Sequence, residues 1–208
     1  MRPLTILLLA VVAGFGCGLR RVPAAVLERL PYEAKVELLE AENELAVAVD
    51  RLDEVRSQVL RARDELRRAK GRLDAARGEV GVAADPGARE VATLAVDEAD
   101  ARVTWLRARQ RRDARDEAVA AKGLDCALAR YELARLAAVR KAKVEGSEAL
   151  EPERFERQLA RCEAERGELE EATRVTAADA EAARASWDAA RAALAKKTFD
   201  ARASPYVE

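Results

Sequence analysis

The chain lacks histidine altogether, has a single methionine and three cysteines, and carries aromatic side chains at only 4% of its 208 positions. Without histidine there is neither the usual proton shuttle near neutral pH nor the commonest metal ligand. Triad hydrolases, histidine-based zinc sites and histidine-ligated haem are therefore excluded together. A basic surplus is also missing: 37 Lys and Arg face 38 Asp and Glu, for a net charge of -1. A general nucleic-acid binder needs such a surplus to neutralise phosphate, so nucleic acid is not an expected partner. No glycine-rich phosphate loop follows a strand, no cysteines stand two residues apart, and no nucleophile elbow occurs. Carboxylate pairs such as Glu170 and Glu171 are frequent, but on a helical rod no pocket would desolvate them and raise their pKa. The expectation is a protein that is not an enzyme and takes no cofactor, metal or small-molecule substrate. What is abundant is alanine, leucine and valine within a 50% hydrophobic, 36% charged chain, the composition of long helices and coiled coils.

Met1 and Arg2 supply a short positive start, and Leu4 to Phe15 is a run of twelve residues without a charge, followed by Gly16 and Cys17. A helix needs ~20 apolar residues to span the hydrocarbon core, so this run reads as a secretory signal peptide over residues 1–16. A small residue directly before a cysteine resembles the lipobox of bacterial lipoproteins. The resemblance covers the leader alone, and Gly14 and Phe15 stand where that family usually has leucine and a small residue. It implies cleavage before Cys17, which would become the lipidated first residue; the alternative is an ordinary signal peptide with an incidental cysteine. Each buried acyl methylene contributes about 0.8 kcal/mol, enough for several chains to hold a protein on a bilayer. Gly18 occupies the place where an aspartate, in that family's sorting pattern, signals retention at the inner membrane. The resemblance thus implies a protein anchored in the bacterial outer membrane and facing the periplasm.

Beyond the leader, breakers cluster at Pro23 and Pro31, at Gly81 to Gly87, at Gly146 to Pro152 and at Ser204 with Pro205. They leave a tether over residues 17–31, a rod over 32–203 and a tail over 204–208, with helices over about 32–80, 88–145 and 153–203. In the first helix, Leu38, Leu45, Leu52, Val59, Leu66, Leu73 and Val80 recur every seven residues. Ala41, Ala48, Val55, Ala62, Ala69 and Ala76 follow three positions later. A Leu/Ala heptad seam without a miss predicts an all-α fold: a long antiparallel coiled coil, folded up-down-up as a three-helix bundle. Charge agrees, since Glu33 to Glu54 holds eight acidic and two basic residues while Arg56 to Arg77 holds eight basic and three acidic. The basic end of the second helix, Arg130 to Lys143, would lie beside the acidic start of the first and be flanked by the acidic start of the third.

Three features invite functional readings. Cys126 and Cys162 remain paired in number once Cys17 is lipidated, and a disulfide between helices two and three is one reading. A turn centred on the breaker cluster near Ala149 would leave them ~10 residues or ~15 Å out of register, which favours two small buried seam residues unless helix two stops near Lys143. The run Arg107 to Arg115 holds five arginines. It reads either as a contact for anionic envelope polymer or lipid, or as a solvated stretch of helix. Trp187, Phe199 and Tyr206 read either as core packed on alanine-rich positions or as an aromatic partner surface at the end of the rod far from the membrane.

The function expected from these residues is that of a membrane-anchored periplasmic coiled-coil lipoprotein with a structural or scaffolding role, its rod projecting from the bilayer. Its partners would be the membrane through the lipid anchor and an envelope protein or a second copy. A helical-hairpin component of an export or efflux assembly, or a membrane-tethered holding chaperone, are the alternatives.

Overall fold

The computed structural model describes residues 19–198, and the leader with Cys17, together with Phe199 and Tyr206, lies outside the described residues. Two short helices, α1 (Ala24–Glu28) and α2 (Tyr32–Val36), precede three long ones, α3 (Leu39–Val82), α4 (Pro86–Lys141) and α5 (Pro152–Thr198). The fold is an all-α helical bundle whose long helices run up, down and up. At 1.5 Å per residue the 56 residues of α4 make a rod ~84 Å long. α4 is the hub: α3 and α5 pack along it on opposite flanks and scarcely touch each other.

The α3 seam is the one its heptads predict. Leu52, Val55, Val59, Ala62, Leu66, Ala69, Leu73 and Ala76 are all buried, and the positions between them face water apart from the half-buried Gln58, Glu65 and Arg72. The first helix is shorter than its pattern only because it is interrupted at Glu37 and Leu38. There the Leu38 amide donates to Lys35 three residues back, tightening one turn without a breaker residue. Asp85 caps α4, its carboxylate accepting the Ala88 amide at 2.9 Å, with Pro86 at the first helical position where no amide donor is required.

The C-terminus of α4 decides the register of the second hairpin. The helix ends at Lys141, not near 145, because Lys143 adopts φ 51°. The Lys143 amide donates to Arg140 and the Val144 amide donates to Val139, at 3.0 and 2.9 Å. These two bonds form a Schellman motif with a lysine where glycine is usual, and Val144 folds back into the core beside Val139. Gly146, at φ 87°, then continues the turn, and Pro152 opens α5. Because an L-residue at positive φ carries a steric cost, Lys143→Gly is expected to raise the unfolding free energy by about 1 kcal/mol. A higher urea midpoint with an unchanged slope would show it; a lower midpoint would contradict the left-handed backbone at this position.

Residues 17–31 were expected to form a tether, and their described part does not. The Arg20 amide donates to Gln158 Oε1 and the Val22 amide to Glu132 Oε2, each at 2.9 Å. Val22 and Leu30 are buried in the same cluster as Leu136, Val139 and Phe155. This segment is a strap fastened across the α4–α5 hairpin, because its apolar residues cover the end of the bundle that α3 leaves open.

Candidate functional site

The hairpin-side third of the rod is where the strap, both flanking helices and a buried crosslink meet. Cys126 and Cys162 are joined in a disulfide with Cα atoms 5.5 Å apart. The early stop of α4 brings them level: the turn centres near Val144, midway between the two cysteines in sequence. One turn away, Lys122 Nζ donates to Glu165 Oε2 at 3.0 Å. The hydrogen bond with Glu165 pushes the Lys122 ammonium pKa up, and the same bond, helped by Arg161, pulls the Glu165 carboxyl down. Nearer the hairpin end, Tyr131 Oη donates to Glu42 Oε1 at 2.6 Å while Arg135 donates to the same phenol oxygen at 2.8 Å. Burial, then the bond to Glu42, raises the Tyr131 pKa. Arg130 to Glu163 and Lys141 to Glu37 are the contacts the charge pattern anticipated, the basic end of α4 lying between the acidic segments of the first and third helical stretches.

On the face opposite the strap a groove of about 510 Å³ opens between the three long helices. Val47, Ala48, Val119 and Ala120 form its apolar walls, with Arg51, Arg130 and Arg166 among the charges at its rim. Asp116 also borders it, and burial raises its pKa, against the pull of Arg112 and Arg51 and with the push of Asp113. The groove exists because every α4 residue from Asp116 to Leu124 is only half-covered and the first heptads of α3, at Ala41, Leu45 and Ala48, sit less deeply than the later ones. Small side chains line that stretch of α4, so α3 lies over a trough instead of a ridge.

The arginine run divides. Arg109 and Arg112 turn inward to the buried Asp113, and Arg109 also reaches Glu65 at 2.8 Å. The expectation of a uniformly solvated stretch is corrected there: an ion-pair cluster replaces the apolar seam for one turn. Arg107, Arg111 and Arg115 remain exposed.

Trp187 is likewise corrected as a partner surface, since it is only 5% exposed. Its ring stacks on Trp105 with centroids 4.7 Å apart, and its Nε1 donates to Glu98 Oε1 at 2.6 Å. Arg102 lies over the same ring, 5.3 Å from its centroid. Sequence reasoning missed Glu98, a fully buried carboxylate, and Trp105 as the partner of Trp187; the alternation of small and aromatic residues across facing helices was the only trace of either. Phe199 and Tyr206 lie outside the described residues.

Among the described residues no group of three potential ligands could hold a metal ion, and no helix is long and apolar enough to cross a membrane. The geometry defines a class, a disulfide-braced antiparallel rod of three helices with a strap across one hairpin. No family model, curated protein or solved structure matches the chain.

Proposed function

We propose that the protein is a membrane-anchored coiled-coil lipoprotein that serves as a structural or scaffolding element of the bacterial cell envelope, facing the periplasm at the outer membrane. The observation that carries this reading is the join between leader and rod. A leader ending in Gly16 and Cys17 is followed, from Leu19 onward, by a strap bonded to the body of the rod. An acyl chain on Cys17 would hold the whole rod and not a loosely attached domain. The buried disulfide is consistent with an oxidising compartment such as the periplasm. The exposed pair of Arg29 with Glu145, at 2.8 Å, ties the strap to the hairpin turn.

Replacing Cys17 by Ser is expected to shift the protein from the membrane fraction to the soluble fraction and to abolish incorporation of labelled palmitate. Membrane retention of the variant, with no label on the unaltered protein, would sink the lipoprotein reading.

A further inference from the structure

The strap fixes where an anchor would leave the rod. Leu19 and Arg21 border a hollow shared with Lys122, Asp125, Gln158 and Cys162. From there the strap runs past Glu132 to the hairpin turn at Glu145 and Gly146. Helix rise puts Leu19 ~25 Å from the hairpin end of α4 and leaves ~55 Å of α4 on its other side. Cys17 is two residues before Leu19, a reach of ~7 Å. Leu19 therefore stands on the flank of the rod, not at one of its ends.

That flank is basic. The α4 stripe that lies under the strap at Lys122, Asp125 and Leu128 continues, at helical spacing, through Arg115, Arg111, Arg107 and Thr104. All four of these are exposed, and the three arginines take no ion pair among the described residues. α3 extends the patch. The ion pair of Arg77 with Asp100, at 3.6 Å, sets one edge of α3 against this stripe, and Lys70 and Arg63 stand one and two heptads before Arg77 on that edge. Both are exposed. On the same α4 stripe Asp100 and Asp97 stand one and two turns beyond Thr104, Asp100 being the partner of Arg77, so the basic face ends there. The opposite face has no such excess: its groove alternates Glu44, Asp116 and Glu170 with its arginines.

We propose that the face formed by Arg63 and Lys70 of α3 and Arg107, Arg111 and Arg115 of α4 binds anionic phospholipid headgroups, so that the rod lies along the bilayer that holds its anchor. The inference rests on the lipoprotein reading and specifies its orientation. Guanidinium groups pair with phosphate in a bidentate manner, and a basic surface beside an acyl chain adds a second, salt-sensitive attachment to the first. The cations span more than one turn of each helix, matching a flat surface better than a single small anion.

The test uses the protein purified from membranes and reconstituted through its own anchor into vesicles. These contain phosphatidylcholine alone or with phosphatidylglycerol, plus a headgroup spin-labelled lipid as quencher. A fluorophore is attached at Thr104→Cys on the basic face, or at Glu44→Cys on the groove face. Quenching at position 104 is expected to be about twofold or more stronger than at 44 in anionic vesicles, and to fall to the level of 44 in high salt or in the Arg107→Glu, Arg111→Glu, Arg115→Glu triple variant. Equal quenching on the two faces, or no dependence on phosphatidylglycerol, overturns the orientation while palmitate labelling still supports the anchor. Absence of palmitate on a protein that still shows asymmetric, phosphatidylglycerol-dependent quenching overturns the anchor and leaves the basic face standing.

Discussion

Leu66→Asp is expected to destroy most of the cooperative helical structure, lowering the unfolding free energy by about 4 kcal/mol or more, against a total of roughly 5–15 kcal/mol for an ordinary domain. Leu66 is 6% exposed and belongs to the cluster of Ala69, Leu73, Val103, Trp105 and Leu106. An aspartate there loses the apolar burial of leucine and must either stay ionised without a partner or bind a proton. Leu52→Asp acts in the same way two heptads, or ~21 Å, along the rod. Arg56→Asp supplies the control, because Arg56 is more than half exposed and makes only long ion pairs of 3.6 Å with Asp53 and Glu117. Its loss should cost less than about 1 kcal/mol. Circular dichroism during thermal melting separates the cases, and equal losses from the seam and surface variants would mean that the α3 register is wrong.

Removing the crosslink, by Cys126→Ala together with Cys162→Ala, is expected to lower stability by about 3–4 kcal/mol, since the bond closes a loop with a sequence separation of 36 residues. The effect should concentrate in one helix. α5 buries only Phe155, Cys162, Ala180, Trp187 and Leu194 along its 47 residues, far fewer large side chains than α4 contributes. Without the bridge, amide protection should fall first in α5 between Cys162 and Ala180, where no large apolar side chain is fully covered, while the core of α3 and α4 keeps its protection longer. Alanine is preferred to serine because Cys126 is fully buried and a hydroxyl there would lack a partner. Uniform loss of protection along all three helices would show that the rod unfolds as a single unit and that the bridge acts on the unfolded chain alone.

Some of the site was legible before the structure and some was not. The contacts of Lys141 with Glu37 and of Arg130 with Glu163 follow from the blocks of opposite charge that an antiparallel fold sets side by side. The bridge between Cys126 and Cys162 did not follow, because it depends on a lysine holding the left-handed backbone at the end of α4, and the breaker residues nearby pointed to a later turn. The strap was hidden for a different reason. Residues 19–31 are too few and too interrupted to show a helical period, and their apolar residues acquire a role only when Glu132 and Gln158 stand ready to receive their amides.

Sequence alone determined the helical class, the number of long helices and the seam of α3, since heptad spacing and Pro/Gly punctuation are local properties that survive any arrangement of the segments. It also determined the antiparallel order, through charge blocks longer than any uncertainty in helix ends. Tertiary structure decided which of five arginines faces water, that Trp187 is core, that Cys126 meets Cys162 and that the chain from Leu19 is bound to the rod. Each of these depends on the axial offset between two helices and on which flank of α4 each neighbour takes. An error of two or three residues in one helix end moves facing side chains by about a turn. Only the packed arrangement resolves distances that small.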